Sequence, residues 1–256
     1  MEEVRFVYPY YENRTMLERQ VDNWNRYAGE LRKKVRILVV DDCSSNYPAL
    51  PILQRCKAPV MLYRLHKRYE WNMHQCRNIG AKEACTEQEN HWLFMSDIDI
   101  MLTPEMAFQM LERPLDPSKV YTMERTFAPD FKDRKVHPNT FLVKRNAFWQ
   151  INGYDLDLTP IGGGGYGGDG EFMRQLRGIC TPAHMDDVVL VGYGRRERNG
   201  EPYIADADTR DLDRDEWQKK YRAAFDKKRA TGDMRSKNPI RATYERQWLK
   251  ASKDIP

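Results

Sequence analysis

The chain has 256 residues, of which 41% are hydrophobic and 31% are charged, a composition typical of a globular protein with a sizeable core. No apolar run approaches the roughly 18 residues that a membrane-spanning helix needs, and Met1-Glu2-Glu3 lacks the basic start and apolar core of a signal peptide. The five cysteines are odd in number and include no C-x-x-C pair, which argues against a disulfide framework or a zinc site. These features predict a cytoplasmic protein without a transmembrane segment, and they leave its oligomeric state open.

The net charge of +4 is unevenly distributed. Between Lys219 and Lys253 there are twelve basic and three acidic residues, a balance of +9, so the rest of the chain carries −5. Such a segment either contacts nucleic acid, an anionic membrane or an acidic substrate, or is the solvated face of a terminal helix. Aromatic residues recur there at helical spacing, which predicts a basic helical extension over residues 206–256 that docks on the main body: Trp217, Tyr221, Phe225, Tyr244 and Trp248.

The first half of the sequence alternates strand and helix patterns. Predicted strands cover residues 4–8, 35–40, 61–65 and 92–100; predicted helices cover residues 15–31 and 72–84 and begin again at Pro104. This alternation implies a parallel α/β sheet with right-handed crossovers, in which ligands bind beyond the carboxyl ends of the strands. Four carboxylates fall at such ends and are therefore expected to converge: Asp41, Asp42, Asp97 and Asp99.

Asp97 and Asp99 stand one residue apart inside the otherwise apolar run 94–102. On a strand, residues i and i+2 share a face, so the two carboxylates are expected to repel each other unless a cation lies beside them. Hard oxygen ligands of this kind suit Mg²⁺ or Mn²⁺. The alternative is that the aspartates only begin a turn where the strand ends.

The second half of the sequence changes character. Residues 140–145 predict a strand, residues 147–151 a short helical turn, and residues 153–170 are rich in glycine. The run Gly162-Gly163-Gly164-Gly165 favours a loop or hinge over a site, because ordering four glycines is entropically costly. A plain surface loop is the alternative.

Several short segments follow one another in a distinctive order: Phe6-Val7-Tyr8-Pro9-Tyr10-Tyr11-Glu12-Asn13, Val39-Val40-Asp41-Asp42-Cys43-Ser44, Arg77-Asn78-Ile79-Gly80-Ala81, Ser96-Asp97-Ile98-Asp99, Ile151-Asn152-Gly153-Tyr154-Asp155 and Gly167-Gly168-Asp169-Gly170-Glu171-Phe172. Over roughly residues 4–200 they resemble the family 2-type glycosyltransferases of the GT-A fold and the related galactosyltransferase and N-acetylgalactosaminyltransferase groups. The segments correspond to the first strand and its proline turn, V-D-D-G-S, A-R-N-x-G, D-x-D, N-G-F-D and W-G-G-E-D-x-E-F. Cys43 replaces the usual glycine of V-D-D-G-S.

The resemblance implies an α/β fold of the GT-A (Rossmann-like) type, a single domain with a mostly parallel central sheet and a helical C-terminal extension. The glycosyltransferase domain is expected to cover residues 1–205. Its nucleotide-sugar-binding half is residues 1–112 and its acceptor and catalytic half is residues 113–205. Residues 206–256 form the basic extension.

The resemblance also implies roles for individual residues. The donor is expected to contact Pro9, Asp41, Asp42, Arg77 and Asp97. Mn²⁺ or Mg²⁺ is expected at Asp99, with Asp97 beside it. Relatives often supply a histidine from a V-G-H segment, but this chain has Val191-Gly192-Tyr193, so His184 is the substitute candidate. The alternative is that His184 is an ordinary hydrogen-bonded histidine. Arg suits phosphate geometry, so three further arginines either bind the diphosphate or form a solvated loop: Arg195, Arg196 and Arg198.

The catalytic base is expected in the last segment, in one of two registers. A one-residue gap places Asp169 on the family's catalytic aspartate, whereas an ungapped match leaves Glu171 as the nearest carboxylate. Both residues also stand where they would cap the helix that follows. Asp169 is the first choice and Glu171 the second.

These assignments predict a metal-dependent inverting glycosyltransferase that uses a nucleotide sugar, a UDP-sugar in the first instance, and a hydroxyl acceptor. A saccharide or glycoconjugate acceptor is favoured, and a modified base in nucleic acid is the alternative. A nucleotidyltransferase would be another use of the same architecture, but the turn over residues 8–13 lacks its glycine-rich basic loop. A non-catalytic sugar-nucleotide-binding module is a further alternative.

Overall fold

The computed structural model describes residues 3–68, 72–86, 88–128, 131–158, 168–193, 214–232 and 234–250. Its strands are β1 Val4–Tyr10, β2 Val35–Asp41, β3 Val60–Leu65, β4 Trp92–Met95, β5 Ile100–Met101, β6 Lys119–Phe127, β7 Lys132–Lys144, β8 Thr181–Gly192 and β9 Tyr244–Lys250. The helices are α1 Arg14–Asn25, α2 Gly29–Lys34, α3 Ala49–Leu53, α4 Met73–Glu83, α5 Pro104–Leu111, α6 Arg145–Gln150, α7 Gly168–Arg177 and α8 Arg214–Ala230, with a 3₁₀ turn at Leu156–Leu158.

The strands form one nine-stranded sheet in the order β5-β8-β6-β7-β4-β1-β2-β3-β9. The four central strands, β4, β1, β2 and β3, are parallel to one another. On either side the sheet continues with antiparallel pairs, β7 on β4 and β9 on β3. The predicted single α/β domain with a mostly parallel central sheet is confirmed.

The central strands are buried on both faces, as their continuous apolar sequences predict. Along β1, Phe6 and Tyr8 pack with α1 on one face, whereas Val7 packs with α4 and α7 on the other. Helices α3 and α5 join the first cluster and α6 joins the second. The two clusters hold the sheet between helical layers and fix the positions of α4 and α7.

The direction of the chain across the sheet reverses beside β1. The chain steps from β1 to β2 and β3 on one side, then returns to β4 on the other side of β1. Ligands of open α/β sheets bind at such a switch point, beyond the carboxyl ends of the strands. The ends of β1, β2 and β4 therefore define the candidate site.

Pro9 stands in the middle of the sheet, where proline is unusual because it has no N–H to donate. The oxygen of Val7 accepts the N–H of Ser96 at 3.2 Å, so Val7 and, by alternation, Pro9 face β4. The pairing of β1 with β4 ends at Val7 and Met95, so Pro9 lies beyond it. The missing N–H of Pro9 therefore costs no hydrogen bond between strands, and β1 and β4 separate at the switch point.

The C-terminal part differs from the predicted helical extension. Helix α8 is present, but Tyr244–Lys250 is a strand. Leu62 pairs with Trp248 but Tyr63 pairs with Arg246, so the register of β9 shifts by one residue at this point. The side chains on either side of the shift therefore point to opposite faces: Trp248 packs in the first core cluster and Tyr244 in the second. The four-residue spacing of these aromatics therefore reflects a bulged strand and not a helical face.

None of the helices in the described ranges has the length and hydrophobicity that crossing a bilayer requires.

Candidate active site

Arg77 is the centre of the candidate site. It lies on α4, its side chain is fully buried, and its guanidinium bridges two carboxylates from distant parts of the chain. Nη2 donates to Asp97 Oδ1, and Nη1 donates to Asp169 Oδ1 at 2.8 Å. Burial opposes the charge on Arg77, but Tyr154 and the two aspartates outweigh it and raise the pKa of Arg77. The arginine therefore stays charged and joins the end of β4 to α7.

Asp169 lies in the first turn of α7. Its Oδ1 accepts the bond from Arg77 and lies 3.0 Å from Nε2 of His74, whose ring stacks on Tyr154. Burial would raise the pKa of Asp169, but His74 and Arg77 outweigh it and hold the pKa well below its usual range. Gly168 allows this approach, because a Cβ there would lie 2.4 Å from the His74 ring. Asp169 is thus held as an ionised carboxylate.

Glu171, the second candidate base, is directed along its own helix. Its two carboxylate oxygens accept bonds from Arg174 at 2.7 and 2.6 Å, and Gln175 donates a further bond at 3.0 Å. Both oxygens are thereby occupied within α7. The cluster around Arg77 contains Asp169 and not Glu171.

The acidic pair lies in a turn and not on a strand, which corrects the expectation that the two side chains share a strand face. Strand β4 ends at Met95, and the N–H of Ile100 donates to the oxygen of Asp97 at 3.0 Å. The oxygen of Asp99 accepts the N–H of Tyr193 at 3.0 Å, which ties the turn to the end of β8. The bond from Ile100 to Asp97 closes this turn at the first residue of β5.

Two residues of β7 also contact Asp97. Nδ2 of Asn139 donates to Asp97 Oδ2 at 3.2 Å, and Nε2 of His137 lies 3.7 Å from the same oxygen. Burial lowers the pKa of His137 to about 4, so this ring is neutral at physiological pH. Asp97 is therefore held on both of its oxygens.

The structure does not bring His184 together with the acidic pair. On β6, the residue opposite His184 is Thr122. The residue opposite Gly192 is Phe127, and Gly192 also pairs with Ile100, which directly follows Asp99. Five residues at about 3.3 Å each separate these positions by roughly 16 Å along β6. His184 instead lies 3.1 Å from the Thr122 hydroxyl and 3.4 Å from Asp186.

No group of three or more His, Cys, Asp or Glu side chains within the described ranges is arranged to hold a metal ion. Asp97 and Asp99 still offer the right chemistry. Mg²⁺ is commonly bound by one or two carboxylates, with water and substrate phosphates completing its shell. Since Arg77 and Asn139 donate to the two oxygens of Asp97, the fit is to a cation held mainly by Asp99.

The two aspartates at the end of β2 have different surroundings. The buried carboxylate of Asp41 accepts the N–H groups of Ser44 at 2.8 Å and Ala49 at 3.0 Å, and burial raises its pKa. Asp41 therefore holds the loop that follows β2. Asp42 accepts a bond from Nδ2 of Asn72 at 3.0 Å, just before α4. Asp42 is the better placed of the two to contact a ligand.

The segment before β9 is fastened to α4. Gln75 Oε1 accepts the N–H groups of Arg241 and Ala242, both at 2.7 Å, and Gln75 Nε2 donates to Asn72 at 2.9 Å. Asn72 in turn donates to Asp42. A chain of buried amides therefore connects the C-terminal segment with the end of β2.

Sequence reasoning missed several residues of this cluster. His74 precedes Arg77 by three residues, so helical spacing alone would have placed it on the same face. His137 and Asn139 alternate on β7, but nothing in the sequence shows which strand β7 joins. Residues 159–167, within the glycine-rich segment, and Arg195, Arg196 and Arg198 lie outside the described residues.

The chain has the GT-A fold of the glycosyltransferases that are its structural neighbours. S. aureus TarS 1–349 aligns with a TM-score of 0.58 and 12% identity over 75% of this chain and 60% of that one. The mannosyltransferase PcManGT from Pyrobaculum calidifontis, in complex with GDP-Man and Mn²⁺, aligns with a TM-score of 0.55 and 15% identity over 91% of this chain and 76% of that one.

GalNAc-T7 with UDP, GalNAc and Mn²⁺ aligns with a TM-score of 0.54 and 14% identity over 76% of this chain and 44% of that one. This chain thus spans less than two thirds of the TarS and GalNAc-T7 chains in these alignments. No protein-family model and no curated protein matches the sequence.

Proposed function

We propose that this protein is a glycosyltransferase that moves a sugar from a nucleotide sugar, a UDP-sugar in the first instance, to a hydroxyl acceptor. The observation that carries the proposal is the buried Arg77, which joins Asp97 at the switch point of the sheet to Asp169 on α7. Three solved neighbours are in complex with UDP-GlcNAc, with GDP-Man and Mn²⁺, and with UDP, GalNAc and Mn²⁺. They support a donor of this class.

The donor lies across the carboxyl ends of β1, β2 and β4 in this proposal. Asp42, oriented by Asn72, accepts hydrogen bonds from the base or ribose, and Pro9 lies where β1 and β4 separate. Asp99, with Asp97 beside it, would hold Mn²⁺ or Mg²⁺, and the ion would supply Lewis-acid stabilisation of a departing diphosphate. Arg77 keeps Asp97 in place from the protein side.

Asp169 acts as the general base of an inverting transfer. Its Oδ1 is held by His74 and Arg77, whereas Oδ2 has no hydrogen-bond partner among the described residues. This free oxygen can accept a hydrogen bond from an acceptor hydroxyl, while the lowered pKa makes Asp169 a weaker base than an ordinary carboxylate. The bonds within α7 that occupy Glu171 make it the weaker candidate.

A saccharide or glycoconjugate is the favoured acceptor, and nucleic acid is the alternative. Lys228, in the middle of the basic segment, is buried and pairs with Asp155 and Asp157. Arg241 also pairs with Asp157. Part of the basic charge therefore docks the segment on the protein, and this use competes with binding phosphates.

The test is a panel of nucleotide sugars, measured by thermal shift and by donor hydrolysis with and without Mn²⁺. We expect one UDP-sugar to raise the melting temperature in a Mn²⁺-dependent way, and Asp99→Ala to abolish this dependence without loss of fold. Asp116→Ala is the control, because Asp116 is an exposed residue far along the chain from the switch point, bonded to Ser118. Release of pyrophosphate from a nucleoside triphosphate would instead indicate a nucleotidyltransferase.

A further inference from the structure

Arg125 of β6 has no hydrogen-bonding or ion-pair partner among the described residues, and its charge interacts with those of Asp99 and Asp97. It lies on β6 between Lys135 of β7 and Leu190 of β8. Its Nε is buried without a hydrogen bond, and its guanidinium carbon lies 4.6 Å from the centre of the Phe127 ring. Within the described part of the chain, its guanidinium forms no hydrogen bond or ion pair.

The charges around Arg125 are only partly balanced. Burial lowers the pKa of Arg125, although Asp99 and Asp97 are close enough to oppose this effect. Three carboxylates in this region, Asp97, Asp99 and Asp169, face two guanidinium groups, those of Arg77 and Arg125. A divalent cation at the acidic pair turns this net negative charge positive, which suits an anionic ligand.

The Asn139 side chain provides a second, independent observation. Its Nδ2 donates to Asp97, while its Oδ1 is buried without a partner. The surroundings of Asp97 and Asp99 therefore contain an unused N–H donor on Arg125 and an unused acceptor on Asn139. Buried polar atoms of this kind are costly unless a ligand or water satisfies them.

We propose that Arg125 binds the diphosphate of the donor, an inference that rests on the proposed function. The planar guanidinium donates through a fork that matches phosphate oxygens, and it is more weakly hydrated than an ammonium group. A diphosphate bound through a cation at Asp99 would lie in the part of the site where Arg125 interacts electrostatically with Asp99 and Asp97. A hydroxyl of the same donor then satisfies Asn139 Oδ1.

The test compares three ligands by calorimetry in the presence of Mn²⁺: inorganic pyrophosphate, UDP and uridine. We expect Arg125→Gln to weaken pyrophosphate and UDP by about 10- to 100-fold and to leave uridine unchanged, because charge-assisted bonds to phosphate are lost. Arg125→Lys, which keeps the charge, should fall between. Arg134→Gln is the matched control, since Arg134 is exposed and pairs with Glu124 on the same strand pair.

Each outcome decides one of the two proposals. If Arg125→Gln binds UDP and pyrophosphate as the wild type does, the role of Arg125 is overturned, and the glycosyltransferase proposal is unaffected. If the wild type binds pyrophosphate through Arg125 but neither binds nor hydrolyses any nucleotide sugar, the role of Arg125 in anion binding stands and the proposed function fails. A wild type that binds neither pyrophosphate nor UDP overturns the inference.

Discussion

At the scale of single residues, the buried Arg77 makes the site sensitive to the loss of one charge. Arg77→Met leaves Asp97 and Asp169 without the cation that they share, so we expect the free energy of unfolding to fall by about 3–5 kcal/mol at neutral pH. Urea denaturation measures this loss. Arg14→Met is the matched control: Arg14 is exposed and pairs with Glu18 on one helix, so it should cost less than about 1 kcal/mol.

The same substitution has a pH dependence whose direction follows from Asp169. Its folded-state pKa is lowered, so its stabilising effect is fully present above the unfolded pKa of about 3.9 and is lost as the pH falls through the lower folded value. The difference in stability between wild type and Arg77→Met should therefore narrow below about pH 4. A difference that stays constant from pH 7 to pH 3 would contradict the proposed ion pair.

The two candidate bases can be separated by isosteric changes. Asp169→Asn removes the basic oxygen but little volume, so transfer should fall by about 10²–10⁴-fold while donor affinity stays close to that of the wild type. Glu171→Gln, measured beside it, should retain most of the transfer rate because Glu171 bonds within α7. The reverse result, with Glu171→Gln inactive and Asp169→Asn active, would establish the ungapped register.

The sequence identifies the residues of the candidate site better than it shows which of them contact one another. Asp97, Arg77 and Asp169 are recognisable from short motifs, but that one guanidinium bridges both carboxylates depends on how α4 and α7 pack. Cys43 stands where V-D-D-G-S has glycine. Its φ of +59° shows why glycine is common there, since left-handed backbone disfavours other residues.

At the scale of elements, Gln75 connects α4 with the segment that leads into β9. Gln75→Met keeps the volume but leaves the buried N–H of Ala242 and the half-buried N–H of Arg241 without an acceptor. We expect a loss of stability of about 1–3 kcal/mol and faster hydrogen exchange at these two amides. Gln54→Met, at an exposed position, is the control, and equal exchange in both variants would refute the role of Gln75.

The sequence predicts β2 well because its continuous β-branched run is typical of a buried strand. It also predicts α8 well, because three aromatic residues repeat there over two successive four-residue intervals. Strand β9 could not be predicted, because a four-residue aromatic spacing fits a helix as well as a bulged strand whose side chains point to opposite faces. The partners of β6, β7 and β8 are set by long-range pairing that no local pattern specifies.

At the scale of the whole molecule, the uneven charge allows a test of the acceptor. Lys219, Arg222 and Arg229 are exposed on α8, whereas Lys228 is buried in its ion pairs. Replacing the three exposed residues by Gln should leave donor hydrolysis and saccharide transfer unchanged, because solvated surface charges contribute little. Binding to duplex DNA across a salt series is the second measurement. If the slope of log affinity against log salt concentration becomes shallower by about 0.9 for each residue replaced, the nucleic-acid acceptor is favoured instead.

Strand β9 also protects the sheet from other chains. Strand β3 is synthesised long before β9, and until β9 pairs with it, the backbone of Val60–Leu65 is an open edge on which a strand of a second molecule can add. Once β9 is in place, the outer strand carries the exposed charges of Glu245 and Arg246, which make a poor template for further strands. A chain truncated before Tyr244 should therefore self-associate during refolding, and light scattering would detect it.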